Sequence, residues 1–175
     1  MKKYIVVLLL LGAFASCRRK YTSVNEQASS QDTMKEHLEN AYKIRVHQES
    51  EEIDDFVKRH GFTVVQTGTG LRIGVYRKAA VGSTPKIHDK VKVIASVFLL
   101  DGTLCYPADT TNPYVFKIGE GMSNSGLEEG LMMMKEGEKA HIIVPSHLGF
   151  GLSGDGDKIP PGAAICYDVH LLKVN

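Results

Sequence analysis

The stretch "KIPPGAAICYDVHLL", residues 158–172, decides the fold. From residue 165 onward, large apolar side chains occupy every second position, which is the period of a β-strand with one face toward a core. The inward set is Ile165, Tyr167, Val169 and Leu171, and the outward set, expected to face solvent, is Cys166, Asp168 and His170. The preceding Pro160 and Pro161 cannot donate to a sheet ladder, so they end a rigid loop where the strand begins.

The same period of two recurs upstream and predicts an antiparallel sheet. Predicted strands cover residues 71–77, 91–99, 114–118, 139–144 and 163–173. Between them, "GLEEGLMMMK" at 126–135 places Leu127, Leu131 and Met134 on one helical face, so the methionine run is interpreted as core filling. The pattern predicts an α+β fold in which one short helix crosses the sheet.

A longer helix is predicted to precede the sheet, over residues 32–60. Asp32 or Thr33 can cap its start, and Gly61 can end it. Its apolar positions form a thin stripe made of Met34, Leu38, Ala41, Ile53 and Phe56. The thin stripe favours a charged helix in solvent; packing on the domain and a dimer through this helix are the alternatives.

The amino terminus has the pattern of an export signal. Lys2 and Lys3 precede an apolar run, residues 4–15, that is too short to span a bilayer as a mature helix. The run ends in Ala-Ser-Cys, which resembles a bacterial lipoprotein signal with Cys17 as the lipidated residue; the alternative is an uncleaved anchoring helix. We therefore expect a signal peptide at 1–16, the lipidated cysteine and a flexible tether at 17–31, and an extracytoplasmic protein anchored to a bacterial membrane.

Composition and motif searches exclude several functions. The 21 Lys and Arg balance 20 Asp and Glu, so nucleic acid is not an expected partner. Ser123 and Ser153 lack the spacing of a hydrolase nucleophile, and "GDGDK" at 154–158 lacks the later ligands of a calcium loop and is interpreted as a turn. Cys105 and Cys166 are predicted to be separate thiols. We expect neither a metal nor a cofactor.

Four motifs, in order and spacing, carry a family resemblance: "NPYVFKIGEG" at 112–121, "GLEEGLMMMKEGEKA" at 126–140, "LGFG" at 148–151 and "IPPGAAICYDVHLLKV" at 159–174. Residues 61–175 resemble the FK506-binding type of peptidyl-prolyl cis-trans isomerase, and residues 51–72 resemble the lead segment of its exported lipoprotein members. The resemblance implies an antiparallel half-barrel sheet wrapped around the short helix, with a proline-containing segment bound in the cup between them.

The resemblance also implies the site residues. By position, the catalytic pocket holds Tyr114, Leu127, Phe150, Ile159 and Tyr167, and the substrate-binding positions are Cys105, Tyr106, Ser123 and Asn124. Leu127 replaces a tryptophan, Phe150 and Ala95 replace tyrosines, and Cys105 and Tyr106 stand in place of an aromatic residue and an aspartate; a shifted alignment instead puts Tyr106 in the aromatic position.

These departures predict weak isomerase activity and impaired binding of the macrolide ligand. The export signal predicts that the substrates are exported proteins. Rotation about an Xaa-Pro peptide bond needs no proton transfer; the enzyme only has to bind the twisted amide more tightly than the planar one. The alternative is a lipid-anchored peptide-binding chaperone module that has lost turnover.

Overall fold

The computed structural model describes the backbone from Val24 to Asn175 and side chains from Thr33 onward. The predicted signal peptide and Cys17 lie outside the described residues. The described residues divide into two units after Ile44, and the second unit is Arg45–Asn175. Within residues 24–175, no helix combines the length and the apolar character needed to cross a bilayer.

The first helix, α1, runs from Val24 to His60. It begins before the predicted start at residue 32, so residues 24–31, predicted as tether, are helical. This segment contains neither Gly nor Pro, and extending an existing helix adds one hydrogen bond for each residue fixed. The predicted end is confirmed, because Gly61 follows with φ of 65°, a conformation that glycine adopts easily.

The remaining elements belong to the second unit. The strands are β1 (Val65–Gln66), β2 (Arg72–Arg77), β3 (Lys90–Leu99), β4 (Leu104–Tyr106), β5 (Tyr114–Lys117), β6 (Lys139–Val144) and β7 (Ile165–Val174). The short helix α2 spans Ser125–Leu131, and a 3₁₀ turn spans Ser146–Leu148. The five long strands agree with the predicted ranges to within about two residues. The short strands β1 and β4 were not among the strands predicted from the period of two.

All pairings in the seven-stranded sheet are antiparallel. The order is β1-β2-β6-β7-β3-β4, with β5 also paired to β3. Because β7 lies between β6 and β3, Tyr167 stands opposite both Ile142 and Val97 at the centre of the sheet. The predicted α+β architecture, with an N-terminal helix and one short helix against the sheet, is confirmed.

Helix α2 packs closely on β6 through two glycines. A Cβ on Gly126 would lie 2.3 Å from Val144 Cγ1, and one on Gly130 would lie 2.6 Å from Ile142 Cδ1. Leu127, Leu131 and the following Met134 are buried in the core, and the partly buried Met132 packs against it. Met133 is 44% exposed, so the core-filling prediction holds for two of the three methionines.

The outer face of the sheet is partly covered, contrary to the sequence prediction. Ile53 and Phe56 of α1 are buried with Ile143, Ala164 and Cys166 in a second core cluster. The prediction of a wholly solvated helix is therefore wrong for its last turns, and the solvent-facing assignment of β7 is wrong at Cys166. Although the apolar stripe of α1 is thin, Ile53 and Phe56 lie one turn apart and together cover this part of the outer face of the sheet.

A buried arginine fastens α1 to the sheet. Arg72 of β2, 2% exposed, donates from Nη2 and Nε to Asp54 Oδ1 at 2.9 and 3.2 Å. Its remaining hydrogen bonds go to Ser50 Oγ at 2.6 Å, Ser50 O at 3.3 Å and Gly70 O at 2.6 Å. Such a charge is tolerated in the interior because its donors are used.

The two described cysteines are free and lie in different core clusters. Cys105 belongs to the inner cluster and Cys166 to the outer one, which agrees with the prediction of separate thiols. Burial raises the pKa of both thiols, that of Cys166 to about 12.

Candidate functional site

A cavity of about 460 Å³ opens between the inner face of the sheet, α2 and two loops. It is lined by Ala95, Val97, Tyr106, Tyr114, Phe116, Gly121, Met122, Ser123, Asn124, Leu127, Phe150, Asp155 and Tyr167. Except for Cys105 and Ile159, every residue predicted for the pocket is among them. Sequence reasoning missed Met122 and Asp155, which lie on loops outside the alternating pattern.

Cys105 and Ile159 lie behind the cavity wall, which differs from their predicted contact with substrate. Each is 2% exposed, and both belong to the inner core cluster. The pairing of β3 with β4 shifts between Val97↔Tyr106 and Phe98↔Leu104, so Cys105 is the extra residue of a bulge. Its Sγ lies 3.6 Å from the carbonyl oxygen of Lys158, beneath the loop that carries Ile159.

The start of α2 fixes the orientation of Asn124. This residue caps the helix, and its Oδ1 accepts from the backbone N–H of Leu127 at 2.9 Å. The amide nitrogen therefore faces Tyr167 and donates to its hydroxyl oxygen at 2.5 Å.

Tyr167 lines the cavity, and its hydroxyl keeps a hydrogen that is available to a ligand. Its oxygen accepts from Asn124, and within the described part of the chain its hydrogen has no acceptor. Burial raises the pKa of Tyr167 to about 12, so the phenol stays protonated at neutral pH. The cavity lining therefore includes a hydrogen-bond donor as well as apolar side chains.

A second hydrogen-bonded pair, Tyr106 and Asp155, also lines the cavity. Tyr106 of β4 donates to Asp155 Oδ2 at 2.5 Å. Asp155 Oδ1 accepts from the backbone N–H groups of Asp157 and Ile159 at 2.9 and 2.8 Å. The bond from Tyr106, followed by those backbone bonds, lowers the pKa of Asp155 to about 2. The pair ties β4 to the loop, and "GDGDK" forms a tight turn with φ of 69° at Gly154 and 79° at Gly156.

Three further lining residues, Ala95, Leu127 and Phe150, offer apolar surface only and are called the floor of the cavity. Leu127 is 7% exposed, Ala95 is 3% exposed, and Phe150 is half-buried without a hydroxyl. Within residues 33–175, no group of three or more His, Cys, Asp or Glu side chains could hold a metal ion. The cavity can hold an apolar ring, exclude water from it and donate a hydrogen bond beside it.

Comparison of the sequence with known proteins identifies relatives of this chain. The sequence profile described as FKBP-type peptidyl-prolyl cis-trans isomerase matches residues 82–172. The chain belongs to this family. FK506-binding protein 2 of Dictyostelium discoideum is 38% identical over 107 residues, spanning 60% of this chain and 80% of that protein. Human peptidyl-prolyl cis-trans isomerase FKBP2 is 45% identical over 122 residues, spanning 64% of this chain and 84% of that protein.

A crystal structure of a peptidyl-prolyl cis-trans isomerase from Pseudomonas syringae pv. tomato superimposes with a TM-score of 0.64. It is 22% identical and covers 76% of this chain and 95% of its own, which supports the fold. Family membership makes this FKBP-type chain an isomerase of peptide bonds that precede proline, as the sequence motifs predicted. Its reaction breaks no covalent bond, which fits a cavity without acid–base groups at its floor.

Proposed function

We propose that the protein accelerates cis–trans rotation of Xaa-Pro bonds in exported polypeptides at the cell envelope, with activity reduced by its altered floor. The observation that carries the proposal is the apolar cavity of about 460 Å³ with an oriented phenol on its wall. We assign the proline ring to the surface formed by Tyr114, Leu127, Phe150 and Tyr167.

The rate gain comes from favouring the twisted amide. The planar bond is held by conjugation, with a barrier of about 18–20 kcal/mol, and the twisted form has less charge separation than the planar one. Moving the amide out of water into an apolar site therefore favours the twisted form, provided the ring is gripped. A 10⁴-fold gain requires only about 5.5 kcal/mol. Tyr167 supplies a hydrogen bond to a carbonyl oxygen of the bound segment.

The reduced activity follows from two side chains. Leu127 offers less contact area to a proline ring than an indole would, and Phe150 cannot donate a hydrogen bond. Each missing hydrogen bond is worth about 0.5–1.5 kcal/mol, so a site that lacks one keeps part of its rate gain. In this proposal the hydroxyl of Tyr167, which also lines the cavity, supplies a hydrogen bond in place of the absent one.

Exchange spectroscopy on Xaa-Pro peptides tests this function. We expect cis–trans exchange to speed up in proportion to enzyme concentration; no acceleration on several peptides would refute the proposal. The alternative, a peptide-binding chaperone module, is favoured by the hydrophobic residue Met122, which lines the cavity and is 67% exposed. It predicts that the same peptides bind without faster exchange, so affinity and exchange are measured together.

The envelope location rests on the sequence of the first 17 residues. Two lysines, an apolar run of residues 4–15 and Cys17 support export and lipidation. We expect the wild-type chain, expressed in a bacterium, to incorporate labelled palmitate and fractionate with membranes. Cys17→Ser should abolish both; unchanged labelling of that variant would refute the lipid anchor.

Self-association through the first half of α1 is a further part of the proposal. Met34, Leu38 and Tyr42 recur every four residues and are 61%, 64% and 58% exposed. Such a stripe supports pairing with a second copy. Analytical ultracentrifugation should show a dimer that Leu38→Glu converts to a monomer; a monomeric wild type would refute it.

A further inference from the structure

Asp155 gives the cavity a negative wall. Within the described part of the chain, it is the only charged residue among those that line the cavity. The turn at 154–158 and the bond from Tyr106 hold its carboxylate in this lining position. An acidic group in this place repels acidic side chains near the bound proline and attracts basic ones.

Among the described residues, no cationic side chain pairs directly with the Asp155 carboxylate. The adjacent Lys158 places its Nζ 4.9 Å from the centre of the Tyr106 ring instead. The lowered pKa of Asp155 keeps the group ionised throughout the neutral range.

The carboxylate also keeps room for a ligand. A carboxylate has about four acceptor positions, two on each oxygen. Oδ1 uses two of them for backbone N–H groups, whereas Oδ2 uses one for Tyr106. No other hydrogen bond formed by the described residues reaches Oδ2, so one position there is open to an ammonium or guanidinium group.

We propose that Asp155 makes the isomerase selective for segments in which a lysine or arginine neighbours the proline. This inference rests on the proposed function and adds a substrate class to it. Because the carboxylate is partly exposed, the selectivity is modest, about two- to fivefold at low salt, and falls as ionic strength rises.

Matched peptides test the selectivity. Lysine, norleucine and glutamate are placed on either side of the proline, since norleucine keeps an unbranched apolar chain without the charge. kcat/KM for exchange is measured by NMR at low and high salt. We expect lysine to exceed norleucine by about two- to fivefold in at least one position, glutamate to fall below norleucine, and both differences to shrink in high salt.

Two variants separate the charge from the turn. Asp155→Asn keeps the side-chain oxygen that accepts from the turn and should equalise lysine and norleucine. Asp109→Asn is the control, because Asp109 also accepts from backbone N–H groups, those of Thr111 and Asn112, but does not line the cavity. This control should keep the wild-type preference.

The outcomes distinguish the two proposals. Acceleration of all peptides without a lysine preference overturns the selectivity and leaves the isomerase function standing. A preference that survives in Asp155→Asn overturns the assignment to this residue. No acceleration of any peptide overturns the function and the selectivity together.

Discussion

Removing the Tyr167 hydroxyl tests the proposed chemistry most directly. Tyr167→Phe keeps the ring, which is 5% exposed. It deletes both the acceptor of the Asn124 amide and the hydroxyl donor available to a ligand. If the phenol bonds the substrate as the amide twists, its loss costs about 0.5–1.5 kcal/mol of transition-state stabilisation. That corresponds to a fall in kcat/KM of about two- to twelvefold.

The assay is NMR exchange on one Xaa-Pro peptide with kcat and KM separated. A donor that acts mainly in the transition state lowers kcat, with little change in KM. The variant should also lose about 1 kcal/mol of stability, because Asn124 keeps an unpaired amide N–H that water can partly reach.

Tyr76→Phe is the matched control. Tyr76, 52% exposed, donates to Asp168 Oδ1 at 2.7 Å and does not line the cavity. It should lose stability without losing kcat/KM. Equal activity of Tyr167→Phe and wild type would refute the donor role, and equal losses in the two variants would assign the effect to stability.

Three further outcomes are expected. Phe150→Tyr should raise kcat/KM about two- to tenfold in the exchange assay, because it adds a donor at the cavity; a decrease would contradict this reasoning. In urea unfolding, Asp54→Ala should lower the free energy of unfolding by about 1–3 kcal/mol, because the buried Arg72 guanidinium loses a partner. The control Asp55→Ala removes an exposed ion pair with Lys58 and should lower it by less than about 0.5 kcal/mol. Gly126→Ala should lower stability by about 1–3 kcal/mol in the same assay, and an unchanged midpoint would show that α2 can shift away from β6.

The sheet could be predicted from the sequence because one face of each long strand is buried, so its side chains alternate with a period of two. The strand of residues 165–174 illustrates this, since its inward set all reached the inner core. The two-residue β1 and three-residue β4 are too short to show such a period.

The polar pairs of the site were beyond sequence reasoning. Tyr106 and Asp155 are 49 positions apart, and Asn124 and Tyr167 are 43 apart, so only the assembled fold brings them together. The aromatic and apolar lining positions came from the family motifs. The bulge at β4, which carries Cys105 away from the cavity, depends on strand register that the sequence pattern does not specify.

The burial of Cys166 under α1 gives the protein an internal reporter of helix detachment. A thiol this inaccessible, with a pKa of about 12, should be alkylated only when the last turns of α1 leave the sheet. Its labelling rate in a Cys17→Ser, Cys105→Ala background therefore measures how often that opening occurs under native conditions, without unfolding the molecule.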